Sequence, residues 1–152
     1  MECMDIEVKM GDIALAKNAD NLAASGIGSC VAIALYDPKL KIGALAHAML
    51  HHSPTPGHGS PDTKYIDTAI DEMLKKMLTY GAKKQDLEAK FVGGANMFSI
   101  LDSDIGKQNV LSAKEKLKKE GIKIVGECVG GSIGRSVEFC IATGIVTVKT
   151  KF

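Results

Sequence analysis

A cysteine and a histidine carry the chemistry this sequence offers. Cys30 leads into Val31-Ala32-Ile33-Ala34-Leu35-Tyr36, and His47 ends the run Ile42-Gly43-Ala44-Leu45-Ala46. Between them lies Asp37-Pro38-Lys39-Leu40, a turn signal, because proline presets φ at the second turn position. Two β-strands joined by a turn form a hairpin. A loop of Pro38-Lys39, or of Asp37 to Leu40, sets Cys30 directly opposite His47, with Cβ atoms roughly 4.5–5.5 Å apart. A loop one residue longer or shorter turns the two side chains to opposite faces. A thiol beside a proton-accepting imidazole is the minimal apparatus of cysteine nucleophilic catalysis.

The surroundings fit that chemistry. The Gly26-Ile27-Gly28-Ser29 corner before Cys30 can aim backbone N–H groups at a developing oxyanion, so Gly28 and Ser29 are candidate substrate contacts. A neighbouring imidazolium lowers a thiol pKa from its ordinary value of roughly 8.5. The competing reading of Cys30 is a small buried hydrophobe, the usual fate of a free cysteine. The face carrying His47 also carries Gly43 and Leu45, opposite Ala32, Ala34 and Tyr36, and its small side chains leave room for a substrate. Spacing names no third group to orient the imidazole. The clusters Gly93-Gly94-Ala95-Asn96 and Gly130-Gly131-Ser132 shape loops around a cleft, where Asn96, Ser132 and Arg135 can touch substrate; turn chemistry alone is the alternative. Neither metal nor organic cofactor is expected. No CxxC pair occurs, His51 and His52 point to opposite faces of an extended chain, and Gly26-Ile27-Gly28 lacks the third glycine of a dinucleotide site. His58 shares its loop with three of the four prolines.

These residues need a scaffold, and 152 residues suffice for one domain, residues 1–152. With 19 basic and 18 acidic side chains and few aromatics, the chain lacks the basic footprint and stacking platforms of a nucleic-acid binder. No apolar run reaches the ~20 residues of a membrane span, and Met1-Glu2-Cys3-Met4-Asp5 does not resemble a signal peptide, so no membrane insertion and a cytoplasmic location with reduced thiols are expected. Short strands are expected at Ile6–Met10 and Ile13–Lys17, then a polar stretch from Asn18 to Ser25. Tyr65, Ile66, Ala69, Ile70, Met73, Leu74 and Met77 form a helical stripe between an N-cap at Asp62 and a stop at Gly81. Strands at Leu87–Val92 and Ile122–Val129 flank a helix over 107–120 with Val110, Leu111, Ala113 and Leu117 inward. Val137–Ala142, a Thr143-Gly144 turn and Ile145–Lys149 form a last hairpin. Two helices among many strands predict an α+β fold with layered mixed, mostly antiparallel β-sheets and outer helices.

Several of these segments, taken in order, resemble the chemoreceptor glutamine deamidases (CheD). They are Gly28-Ser29-Cys30-Val31, Gly43-Ala44-Leu45-Ala46-His47-Ala48-Met49-Leu50, Lys64-Tyr65-Ile66-Asp67-Thr68-Ala69-Ile70, Gly93-Gly94-Ala95-Asn96-Met97-Phe98, Ile105-Gly106-Lys107-Gln108-Asn109-Val110 and Gly134-Arg135-Ser136-Val137-Glu138. The resemblance implies hydrolysis of glutamine side chains on chemoreceptor cytoplasmic helices to glutamate, with release of ammonia. It places the catalytic pair on Cys30 and His47. The family's threonine, six residues before the cysteine, is Ala24 here; Ser25 beside it is the candidate third catalytic residue if the loop shifts by one. The resemblance also implies a fold similar to the cytotoxic necrotizing factor catalytic domain, and a CheC-type phosphatase as partner. Two other activities are open: a regulatory module for that phosphatase with weak or lost catalysis, and hydrolysis of receptor glutamyl methyl esters at the same site.

Overall fold

The computed structural model describes residues 5–50, 53, 62–96 and 105–150. Cys3, His51, His52, His58 and the Met97-Phe98 pair lie outside them. Among the described residues nine strands and two α-helices form three layers. β4 (Val31–Asp37) and β5 (Ile42–Ala48) are the central hairpin of a five-stranded sheet in the order β2-β5-β4-β6-β7. Here β2 is Ile13–Lys17, β6 is Glu88–Gly93 and β7 is Lys123–Val129. A second sheet, β1-β3-β8-β9, holds β1 (Asp5–Glu7), β3 (Asn21–Ile27), β8 (Arg135–Cys140) and β9 (Ile145–Thr150). Among the strands of the described residues, β1–β3 and β6–β7 pair in parallel and the other pairs are antiparallel, so the sheets are mixed and mostly antiparallel, as expected.

Every residue of β4 and β5 is buried, because each face is covered. On one side α1 (Ile66–Thr79) and α2 (Ile105–Lys119) pack on Val31, Ile33, Leu35, Ala44 and Ala46. On the other the second sheet contributes Leu22, Ala24, Ile27, Val137 and Phe139 against Cys30, Ala32, Ala34, Tyr36 and Leu45. A strand buried on both faces is apolar throughout rather than alternating, which is how Val31 to Tyr36 reads. The sheets approach closely where β5 has no side chain. A Cβ on Gly43 would lie 2.6 Å from Ile141 Cδ1 and 2.9 Å from the Phe139 ring. Tyr36 fixes the same region by donating its hydroxyl to the Ile141 carbonyl at 2.7 Å.

Four local expectations are corrected. The helix begins at Ile66, with Tyr65 at the N-cap, because Asp62 belongs to a preceding turn in which its carboxylate accepts the Lys64 N–H. Gly81, at φ +97°, stops it as expected. The polar stretch from Asn18 contains β3, whose buried face is only Leu22, Ala24 and Ile27 around a bulge. The first strand ends at Glu7, short of Met10. On α2, Leu111 faces solvent and Asn109 and Ser112 turn inward beside Val110, Ala113 and Leu117. Among the described residues no helix is long and apolar enough to cross a membrane. Gly43→Val should overfill the contact with Phe139 and Ile141 and cost about 1–3 kcal/mol. Urea unfolding should show this as a lower midpoint at unchanged slope.

Candidate active site

The hairpin turn sets the site's register. Asp37 stays in β4, paired with Ile42, and its buried carboxylate accepts the N–H groups of Lys39 and Leu40 at 2.9 and 3.1 Å. Lys41, at φ +54°, closes the loop by donating to the Asp37 carbonyl. The loop is therefore Pro38–Lys41, and His47 faces Ala32 rather than Cys30. The shift is two residues, so the faces are preserved and Cys30 sits on the diagonal of His47. Diagonal neighbours lie roughly 7–8 Å apart, within reach of long side chains.

Cys30 itself lies just beyond the ladder, whose first pair is Val31 with Ala48. Its loop is held by its carbonyls. The Gly28 carbonyl accepts the Ala95 N–H at 2.9 Å and the Cys30 carbonyl accepts the Gly94 N–H at 2.8 Å. The Ser29 carbonyl accepts Asn109 Nδ2 at 2.9 Å. In a trans peptide the N–H points opposite to the preceding carbonyl. Anchoring Gly28 and Ser29 in this way turns the N–H groups of Ser29 and Cys30 away from β6 and α2. Gly93 permits the approach. At φ +129° a Cβ there would fall 2.1 Å from the Cys30 carbonyl oxygen.

His47 is fixed by its backbone. Its carbonyl accepts from Gly11 at 2.7 Å and its N–H donates to Asp12 at 3.1 Å. His47 is 2 % exposed, and among the described residues neither ring nitrogen makes a well-formed hydrogen bond, so thiol and imidazole are not bonded to one another. Burial pushes the imidazole pKa down, and the nearby Val8 backbone raises it in part. Val8 in turn donates to the Ala23 carbonyl, which brings Ala24 to the same layer. Cys30 is 8 % exposed, and burial pushes its thiol up, offset in part by its own N–H. The expected imidazolium-lowered thiolate is thus reversed: desolvation favours a neutral thiol and a neutral ring.

The other candidates divide by face. Ser25 and Gly26 form the β3 bulge and are exposed, and Ser25 lines a groove on the outer face of the second sheet with Asp5, Glu7, Ser136 and Glu138. Ala24, where the resemblance implies a threonine, faces into the layer that holds Cys30 and is 2 % exposed. The glycine loops do converge: Gly130 donates to the Gly93 carbonyl and Asn96 to that of Gly131. The side chains of Asn96 and Ser132 are exposed there. Arg135 is spent within the loops, its Nη2 donating to Gly130 at 2.8 Å and its Nη1 to Gly93 at 3.4 Å. Among the described residues no cluster of three metal-ligating side chains occurs. Asn109 is the residue that sequence reasoning passed over. A polar side chain in the Gly106, Val110, Ala113, Leu117 stripe was the available signal.

The pH dependence of stability follows from the two buried groups. Below about pH 6.5 the unfolded chain binds a proton at position 47 that the folded chain resists, so stability falls on acidification. Above about pH 8.5 the unfolded chain releases a proton at position 30 that the folded chain keeps, so stability falls again. Relative to wild type, His47→Gln should flatten the acid limb and Cys30→Ser the alkaline limb in urea unfolding at stepped pH.

The comparisons with known proteins point to one family. The family model described as CheD chemotactic sensory transduction matches residues 49–150. A Pyrococcus abyssi protein named probable chemoreceptor glutamine deamidase CheD is 43 % identical over 148 residues, 95 % of this chain and 91 % of its own. One of the same name from Methanococcus maripaludis is 43 % identical, covering 96 % of this chain and 95 % of its own. Another, from Caldanaerobacter subterraneus, is 43 % identical over 99 % of this chain and 95 % of its own.

Proposed function

From the premise that the chain belongs to the CheD family, we propose that it hydrolyses glutamine side chains of chemoreceptors to glutamate, with release of ammonia. The observation that carries this reading is the shared face. Cys30 and His47 are held on one side of β4–β5, in the layer between the sheets, beside backbone N–H groups turned by the anchored carbonyls of Gly28 and Ser29.

Each step uses those groups. His47, neutral at rest, takes the Cys30 proton as the sulfur attacks the glutamine Cδ. The carbonyl oxygen becomes an oxyanion, stabilised by the N–H groups of Ser29 and Cys30. Collapse breaks the C–N bond, and the imidazolium gives its proton to the departing ammonia. Water, deprotonated by His47, then cleaves the thioester, leaving glutamate and the thiol. Because the resting pair is uncharged, the proton moves with the attack. The substrate is a cytoplasmic receptor helix, and a CheC-type phosphatase is the partner that ties the reaction to signalling state. A second reading, in which the chain chiefly regulates that phosphatase, draws on a His47 ring with no well-formed hydrogen bond among the described residues.

Incubation with receptor fragments should add about 1 Da at selected glutamines, since –NH₂ is replaced by –OH, and Cys30→Ala should abolish it. Mass spectrometry reads both. Wild type that leaves glutamine intact, while Cys30→Ala stimulates the phosphatase normally, supports the regulatory reading instead. Ala24→Thr places a hydroxyl in the layer holding the unpartnered ring. It should raise kcat about tenfold at similar KM, in the range of an orienting hydrogen bond, as followed by ammonia release.

A further inference from the structure

The β-ladder sets Cys30 and His47 on one face but ends before it reaches Cys30. Cys30 precedes the first pair of β4, and the chain leaves β5 at Ala48. One side chain from the other layer closes that gap. Asn109 of α2 is fully buried, and its Nδ2 donates to the Ser29 carbonyl and to the Met49 carbonyl, each at 2.9 Å. Ser29 is the residue before the nucleophile and Met49 lies two residues after His47. A single amide nitrogen therefore ties the two open ends of the hairpin together. A primary amide suits the task, because its two hydrogens serve two acceptors without importing a charge. Among the described residues Asn109 Oδ1, by contrast, has no partner, so what the buried amide contributes there is its nitrogen.

The second consequence concerns the oxyanion. Because the Ser29 carbonyl is held by Asn109, the N–H of the same peptide unit, that of Cys30, points away from α2. We propose that Asn109 is a positioning residue for the reaction: it holds Cys30 within reach of His47 and aims the Cys30 N–H at the developing oxyanion. This rests on the deamidase reading above. Asn109 does not touch substrate, so its removal acts on kcat and leaves KM alone.

The test compares Asn109→Leu, which keeps the branched shape and loses both donors, with Asn109→Ser, which keeps one donor on a shorter side chain. The full-length chain is assayed for deamidation of receptor fragments and for iodoacetamide alkylation of Cys30, read on its own peptide by mass spectrometry. Asn109→Leu should lower kcat about 100-fold and Asn109→Ser about 10-fold, with KM within about twofold, the range of a lost oxyanion donor or misplaced base. In the alkylation assay Asn109→Leu should slow Cys30 in the wild-type background and add nothing in a His47→Gln background, because the two act on one proton transfer from the thiol. A residue that merely supports the fold predicts the opposite: loosening exposes the thiol and speeds alkylation in both backgrounds. That result, or a folded Asn109→Ser with wild-type kcat, overturns the proposal. Wild type that turns over no glutamine overturns the deamidase reading, and the alkylation cycle still decides the role of Asn109. If Asn109→Leu does not fold, Asn109→Ser carries both assays.

Discussion

The burial of β4 and β5 on both faces is the constraint from which the rest of the molecule takes its form. One face is closed by two helices and the other by a four-stranded sheet, and neither cover is dispensable when each exposed apolar side chain costs about 1.5–3 kcal/mol. The second sheet fits because the facing surface is built from Ala32, Ala34 and Gly43, which let Phe139 and Ile141 come down onto the strands. A site at the end of this hairpin inherits rigid walls. It also inherits desolvation, which explains why the sulfur and the ring are held neutral.

Rigid walls and neutral groups fit a nucleophile that is activated only as it attacks. A standing thiolate would meet its full charge penalty in the inter-sheet layer, whereas a proton passed during bond formation keeps the net charge of the site at zero, with the imidazolium set against the oxyanion that forms. The polar work is done by the backbone. The carbonyls of Gly28, Ser29 and Cys30 are tied to Ala95, Asn109 and Gly94, and Arg135 binds the neighbouring glycine loops to one another through Gly93 and Gly130. The imidazole is the exception: among the described residues it makes no well-formed hydrogen bond, Ala24 offers only a methyl group in its layer, and Ser25 is exposed.

Alternation and spacing made the faces legible in the sequence. The side of β4 carrying Ala32, Ala34 and Tyr36 is the side facing Gly43, Leu45 and His47, and the stripe from Ile66 to Met77 is the buried face of α1. Register was less legible, since Asp37 can occupy a turn position or cap the turn from inside the strand, and only its hydrogen bonds to Lys39 and Leu40 decide. β3 was hidden for a different reason. Its sequence of alanine, serine and glycine has little strand preference, and pairing with β8 and packing on β4 hold it extended. Asn109 was hidden by its polarity, because a core position on a helix is sought among apolar residues and its role depends on carbonyls far away in the chain.

The central claim is that sulfur 30 attacks with ring 47 as its base. Acid quenching within a single turnover, followed by peptide mass analysis, tests it most directly by locating the thioester. The account predicts an adduct on the peptide containing Cys30, formed about 100-fold or more slowly in His47→Gln, the contribution of a general base. An adduct on Cys128 or Cys140, or one formed on Cys30 at the same rate without the imidazole, would contradict it.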